Sequence, residues 1–97
     1  MKFTIHIRYN DGSNSFLSLG GWSKARVVNE AYFQIQENRN NIAFIDIYSY
    51  GEIKCPMITW RKSTNRWLIY SDVYTSNGYI NLDSALNKLE RMVVHEP

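Results

Sequence analysis

Residues 3 to 9, FTIHIRY, alternate strictly: Phe3, Ile5, Ile7 and Tyr9 point one way and Thr4, His6 and Arg8 the other, the period-two pattern of a half-buried strand. Asn10-Asp11-Gly12-Ser13 tolerate positive φ, so the chain is predicted to reverse there and return along Ser15 to Leu19 as a hairpin that Gly20-Gly21 breaks. The period then changes. With Ser23 as N-cap, a helical pattern runs to about Asn38, its apolar stripe formed by Val27, Val28, Ala31 and Ile35 with Tyr32 at the edge. Phe33 falls nearly opposite that stripe, among Arg26, Glu30 and Glu37, where it is either an exposed contact residue or covered by a loop or by Trp22.

Ile42 to Tyr50 is rich in β-formers on both faces, with Ala43, Ile45 and Ile47 on one and Phe44, Asp46, Tyr48 and Tyr50 on the other, the pattern of a strand in the middle of a sheet. Gly51-Glu52 turns the chain into Ile53 to Lys62, where Pro56 lacks a ladder donor and favours an edge or a bulge. A reversal at Lys62 to Asn65 leads to a last long strand, Arg66 to Thr75, and a turn at Ser76-Asn77-Gly78. Asn81 is the expected N-cap of a second helix, with Asp83 in its first turn and Leu82, Ala85, Leu86, Leu89, Met92 and Val93 on one stripe. The order β-β-α-β-β-β-α predicts a single α+β domain over residues 1–97: an antiparallel sheet of about five strands with two helices packed on one face. The opposite face is then left to solvent or to a partner.

The hairpin from Met57 to Tyr74 is the expected centre of that partner surface. Ile58, Trp60 and Lys62 share one parity, as do Arg66, Leu68, Tyr70, Asp72 and Tyr74, and Phe44, Tyr48 and Tyr50 on the preceding strand. Which sets lie on the helix-free face depends on register, and a slip of one residue inverts the answer. Lys54, Arg61, Lys62 and Arg66 gather around the turn with only Glu52 near them. The candidate binding residues are therefore Trp60, Arg61, Lys62, Arg66, Trp67, Tyr70 and Tyr74, with Phe33 on the helix; a solvated, edge-blocking hairpin tip is the plainer alternative for the charges.

Composition sharpens this in one respect. Aromatic residues make up 14% of the 97, as seven Tyr, four Phe and three Trp, and such rings gather at recognition surfaces as well as in cores. Eleven basic against nine acidic residues give +2, too weak a charge to demand a polyanion. Cys55 is the single cysteine, which excludes an intramolecular disulfide and multi-cysteine zinc patterns and suits a reducing compartment. The N-terminus shows no apolar signal region and no run is long enough to span a membrane, so a soluble, cytoplasmic protein is expected.

No catalytic motif stands out: the chain has no G-x-S-x-G, P-loop, G-x-G-x-x-G or H-E-x-x-H. His6, read as facing solvent from its strand, and His95, read as part of a frayed tail, have no ligand-spaced neighbours, so no metal is expected. Cys55 lacks an evident base, and Asp46 and Asp72, although on strands, are read as partners of Arg or Lys on the exposed face. An enzyme is not expected, nor a cofactor.

From Ser23 onward, the order helix, three strands, helix is similar to the double-stranded-RNA-binding domain, although the Lys-rich start of that family's second helix is here Asn81-Leu82-Asp83-Ser84. Thr59-Trp60-Arg61-Lys62 with Arg66-Trp67, then Gly78-Tyr79 and Asp83-Ser84-Ala85, resembles the Apetala-type DNA-binding domain over little more than a third of the chain. That resemblance implies base or phosphate contacts by Trp60, Arg61, Arg66 and Trp67. In size and layout, opening M-K-F-T-I-H-I with an N-D-G hairpin, the chain resembles small phage accessory proteins of the anti-CRISPR and host-defence-inhibitor kind. The expected function is that of a non-enzymatic inhibitor that occludes a host protein or protein–nucleic-acid complex through an aromatic and basic surface. A nucleic-acid-binding module is the alternative, and a subunit that self-associates through an edge strand is a third option.

Overall fold

The computed structural model describes residues 2–49, 58–69 and 78–94, and these form a five-stranded antiparallel sheet with two helices on one face. In chain order the elements are β1 (Phe3–Tyr9), β2 (Asn14–Trp22), α1 (Lys24–Asn38), β3 (Ile42–Ser49), β4 (Ile58–Arg61), β5 (Arg66–Ile69) and α2 (Leu82–Val94). The strands lie in the order β2-β1-β3-β4-β5, so β3, rich in β-formers on both faces, is the middle strand, with β1 beside it. The mixed α+β layout is the one the periodicities predict.

The β1–β2 turn follows from its residues. The Gly12 N–H donates to the Tyr9 carbonyl and the Tyr9 N–H to the Ser13 carbonyl, with Gly12 at φ 89° supplying the left-handed step. The Asp11 carboxylate accepts from the Ser13 hydroxyl and the Ser13 N–H, and these bonds hold its pKa below the ordinary value. The glycine pair does not end β2: the strand continues to Trp22 across a register shift, with Gly21 at φ 81°. Ser23 caps α1 as expected, its hydroxyl accepting from the Arg26 N–H. Strand boundaries expected at Ile53, Tyr50 and Thr75 lie outside the described residues, as do Cys55, Pro56, Asp72 and His95.

The N-terminus of α2 departs from expectation. Asn81 does occupy the cap position, its carbonyl accepting from the Ala85 N–H, but the Leu82 N–H is bound by the Tyr32 hydroxyl of α1 at 2.8 Å. Lys24 adds a second tie between the helices, reaching Glu90 at 3.2 Å and the Asn87 side-chain oxygen at 2.8 Å.

Cross-strand partners share a face, so the register sorts every strand residue. Ile5 lies opposite Ile47, Ile7 opposite Ile45, Ile45 opposite Trp60, Ile47 opposite Ile58, Trp60 opposite Trp67 and Ile58 opposite Ile69. This set, with Phe3, meets Val27, Val28 and Ala31 of α1 and Leu82, Ala85, Leu86 and Leu89 of α2 in one core. The two tryptophans are therefore core residues, 0% and 1% exposed, and the expectation that Trp60 and Trp67 are surface anchors is corrected. The reason is parity together with a local hydrogen bond: Trp60 Nε1–H donates to the Asn65 side-chain oxygen at 3.1 Å, so the indole enters the core with its polar atom satisfied. Asn65 holds the turn at φ 54°.

Candidate binding face

The helix-free face is built from the other parity. One row crosses all five strands as Asn14, Arg8, Phe44, Arg61 and Arg66, and the next runs Phe16, His6, Asp46, Thr59 and Leu68. The first row is a basic strip with a ring at its centre. The guanidinium carbons of Arg8 and Arg61 lie 5.8 and 5.6 Å from the Phe44 centroid, one from each side strand. Arg66 sits directly opposite Arg61, an arrangement of like charges that costs stability on its own. Neither ion pair found among the described residues involves an arginine.

The second row is a polar network under an aromatic cover. Thr59 Oγ1–H donates to Asp46 Oδ1 at 2.7 Å, and Asp46 Oδ2 lies 3.5 Å from His6 Nδ1. That contact is close enough for an ion pair but not aligned as a hydrogen bond, which leaves Nδ1 buried without one. On the ring's other side Asn14 Oδ1 lies 2.8 Å from His6 Nε2 and accepts from Arg8 Nε at 2.7 Å. An oxygen already accepting from arginine requires Nε2 to carry a proton. A proton on Nδ1 as well would face Asp46, whereas a bare Nδ1 would turn its lone pair toward the carboxylate. Phe16 stacks on the imidazole with centroids 4.4 Å apart and 13° between planes. Phe44 meets the imidazole edge-on at 6.1 Å and Tyr48 lies tilted at 6.4 Å. His6 is thus on the helix-free face but only 8% exposed, a correction to its reading as a solvent-facing residue; among the described residues, Asp46 is paired with it and with Thr59 and with no Arg or Lys.

Of the residues singled out in the sequence, Arg61 and Arg66 belong to this face, Arg61 exposed and Arg66 half-buried. Lys62 is half-buried in the β4–β5 turn and is not part of the row. Tyr70 and Tyr74 lie outside the described residues. Phe33 is 53% exposed on α1 and is not covered by Trp22, whose ring instead carries the Arg26 guanidinium at 4.3 Å. Phe33 lies on the helical side and is not part of the basic strip. The residues that sequence reasoning passed over are Arg8, Asn14 and Phe16; the alternation of β1 had already placed Thr4, His6 and Arg8 together, and only the β1–β3 pairing brings Arg8 beside Phe44.

Two further features are less organised. Tyr9, Asn10, Asp11, Ser13, Asn38 and Asn41 line an open polar cleft at the end of the β1–β2 hairpin, which includes none of the predicted site residues. Among the described residues no three His, Cys, Asp or Glu side chains come together, and no helix is long and apolar enough to cross a membrane. No family model, curated protein or solved structure matches the chain.

Proposed function

We propose that this chain is a non-enzymatic binding protein that lays its helix-free sheet face on a partner carrying negative charge. The observation that carries the reading is the row Arg8, Phe44, Arg61, Arg66: two guanidiniums flank one ring, and a third stands directly opposite one of them on the neighbouring strand. Opposed like charges are unfavourable in the free protein, and an anion placed between them would relieve the repulsion and add charge-assisted hydrogen bonds. Arginine beside an aromatic ring is also the composition of binding hot spots. A small inhibitor that occludes an acidic site on a host protein or nucleoprotein complex would use this face.

A second reading is favoured by Phe16, which is 45% exposed and stacked on His6 near the basic row. Flat rings beside arginines on an open sheet suit a single-stranded nucleic acid, with bases stacking and phosphates on the guanidiniums. Two measurements separate the readings. Capture from host lysate that survives nuclease and is lost in an Arg61→Ala/Arg66→Ala variant supports a protein partner. Affinity for a labelled single-stranded oligonucleotide that falls steeply between ~50 and ~200 mM salt, with the slope reduced by about 1 for each arginine removed, supports nucleic acid. If the double variant is captured and binds like the unmodified protein, the basic row is not the binding surface.

A further inference from the structure

We infer that two copies of this chain associate by antiparallel pairing of their β2 edges around Phe16, joining the two sheets edge to edge. The two edges of the sheet differ. The β5 edge is covered: Trp67 and Tyr79 exchange both backbone hydrogen bonds, at 2.8 and 2.7 Å. Gly78 makes this possible, since it sits at φ 73° and a Cβ there would come within 2.9 Å of the Trp67 carbonyl oxygen. Among the described residues, the β2 edge pairs only with β1, on its inner side.

The turn fixes which groups that edge presents. Tyr9 and Ser13 are hydrogen-bonded across the hairpin, and ladder bonding alternates in antiparallel pairs, so Ser15 and Leu17 bond inward to Ile7 and Ile5. Asn14 and Phe16, opposite Arg8 and His6, then direct their N–H and C=O groups outward. The sequence does nothing to guard them. Natural edges are commonly protected by charges or proline, yet residues 14 to 22, NSFLSLGGW, contain neither. The register shift lies beyond Leu17, so residues 14–17 form a regular segment.

The occupant that fits is a second copy. A two-fold axis through the edge places each Phe16 directly opposite the other copy's Phe16, as a pair that exchanges both backbone bonds, with Ser15 of each beside Leu17 of the other. Both phenyl rings fall on the helix-free face, so each covers the exposed side of the other. Two uncharged strands meet without like-charge repulsion. The association uses none of the arginines beyond the ladder, so its failure would leave the proposed binding function standing.

The test is the mass in solution across a concentration series, read together with amide exchange. The unmodified protein is expected at twice the 11.4 kDa of one chain, and Ser15→Lys, which adds a charge along the seam without touching the β1–β2 bonds, at half that mass with unchanged circular dichroism. In the unmodified protein the Phe16 amide should become protected as concentration rises, which decides the question even if the lysine variant folds poorly. A monomer at every concentration overturns the inference. So does a doubled mass with a Phe16 amide that exchanges as fast as in dilute solution.

Discussion

Trp60 and Trp67 stand directly opposite each other on β4 and β5, with ring centroids 6.2 Å apart and planes inclined by 39°, and both lie beneath the helices. The pair closes the β4–β5 end of the core, where Tyr32 of α1 meets Trp67 edge-on at 6.2 Å. Replacing either indole by alanine opens a large void, a change that costs about 3–5 kcal/mol. Against a domain stability of about 5–15 kcal/mol, Trp60→Ala should leave the protein close to unfolding. Urea denaturation followed by circular dichroism reads this directly, and a loss below about 1 kcal/mol would contradict the burial.

The layout of the sheet was legible because β1, α1 and α2 each carry one unmistakable period, β3 is rich in β-formers on both faces, and the element order admits few arrangements. The faces of the central hairpin were not. In Arg66 to Ile69 apolar residues occur at both parities, and in Ile58 to Arg61 an indole and a guanidinium, both suited to a binding surface, sit side by side, so composition alone does not say which face turns inward. The decision is made by strands distant in sequence: Ile45 opposite Trp60 ties that parity to Ile7 and the core, and Phe44 opposite Arg61 ties the other to Arg8. For His6, the missing information was the stacked Phe16 across the hairpin, a contact that depends on the length of the turn.

Tyr32 links three parts of the core edge, and its hydroxyl has a defined task. It accepts from the Leu82 N–H, one of the donors that the first turn of a helix cannot satisfy internally. Tyr32→Phe keeps the ring against Trp67 and removes only the acceptor, so a loss of about 1 kcal/mol is expected. For a domain of this size that lowers the melting temperature by roughly 4–8 °C. Tyr32→Ala should lose distinctly more, since the ring contact goes as well; equal losses would mean that the hydroxyl alone matters.

The basic row predicts a conflict between binding and stability. Arg66→Thr removes one of two directly opposed guanidiniums and substitutes a residue with good strand propensity. The variant is expected to gain up to about 1 kcal/mol of stability while binding its partner more weakly. Thermal melts and binding isotherms on the same preparation check both halves. A destabilised Arg66→Thr would place the arginine in a structural role instead.

The His6–Asp46 pair gives the sharpest energetic test, because its members are nearly enclosed and depend on each other. His6→Phe keeps a flat ring under Phe16 but leaves the Asp46 carboxylate with Thr59 as its remaining described partner; stranding a buried charge in this way costs about 3–5 kcal/mol. Asp46→Leu strands the Thr59 hydroxyl, at about 1–3 kcal/mol. The double variant removes the charge and its partner together and fills the space with apolar atoms, a replacement that is often neutral for buried pairs. It should therefore be more stable than His6→Phe alone, with a coupling of about 1–3 kcal/mol in a double-mutant cycle measured by urea unfolding. Losses that simply add, to within about 0.5 kcal/mol, would show that the histidine and the aspartate do not sense each other and that Thr59 and Asn14 hold them separately.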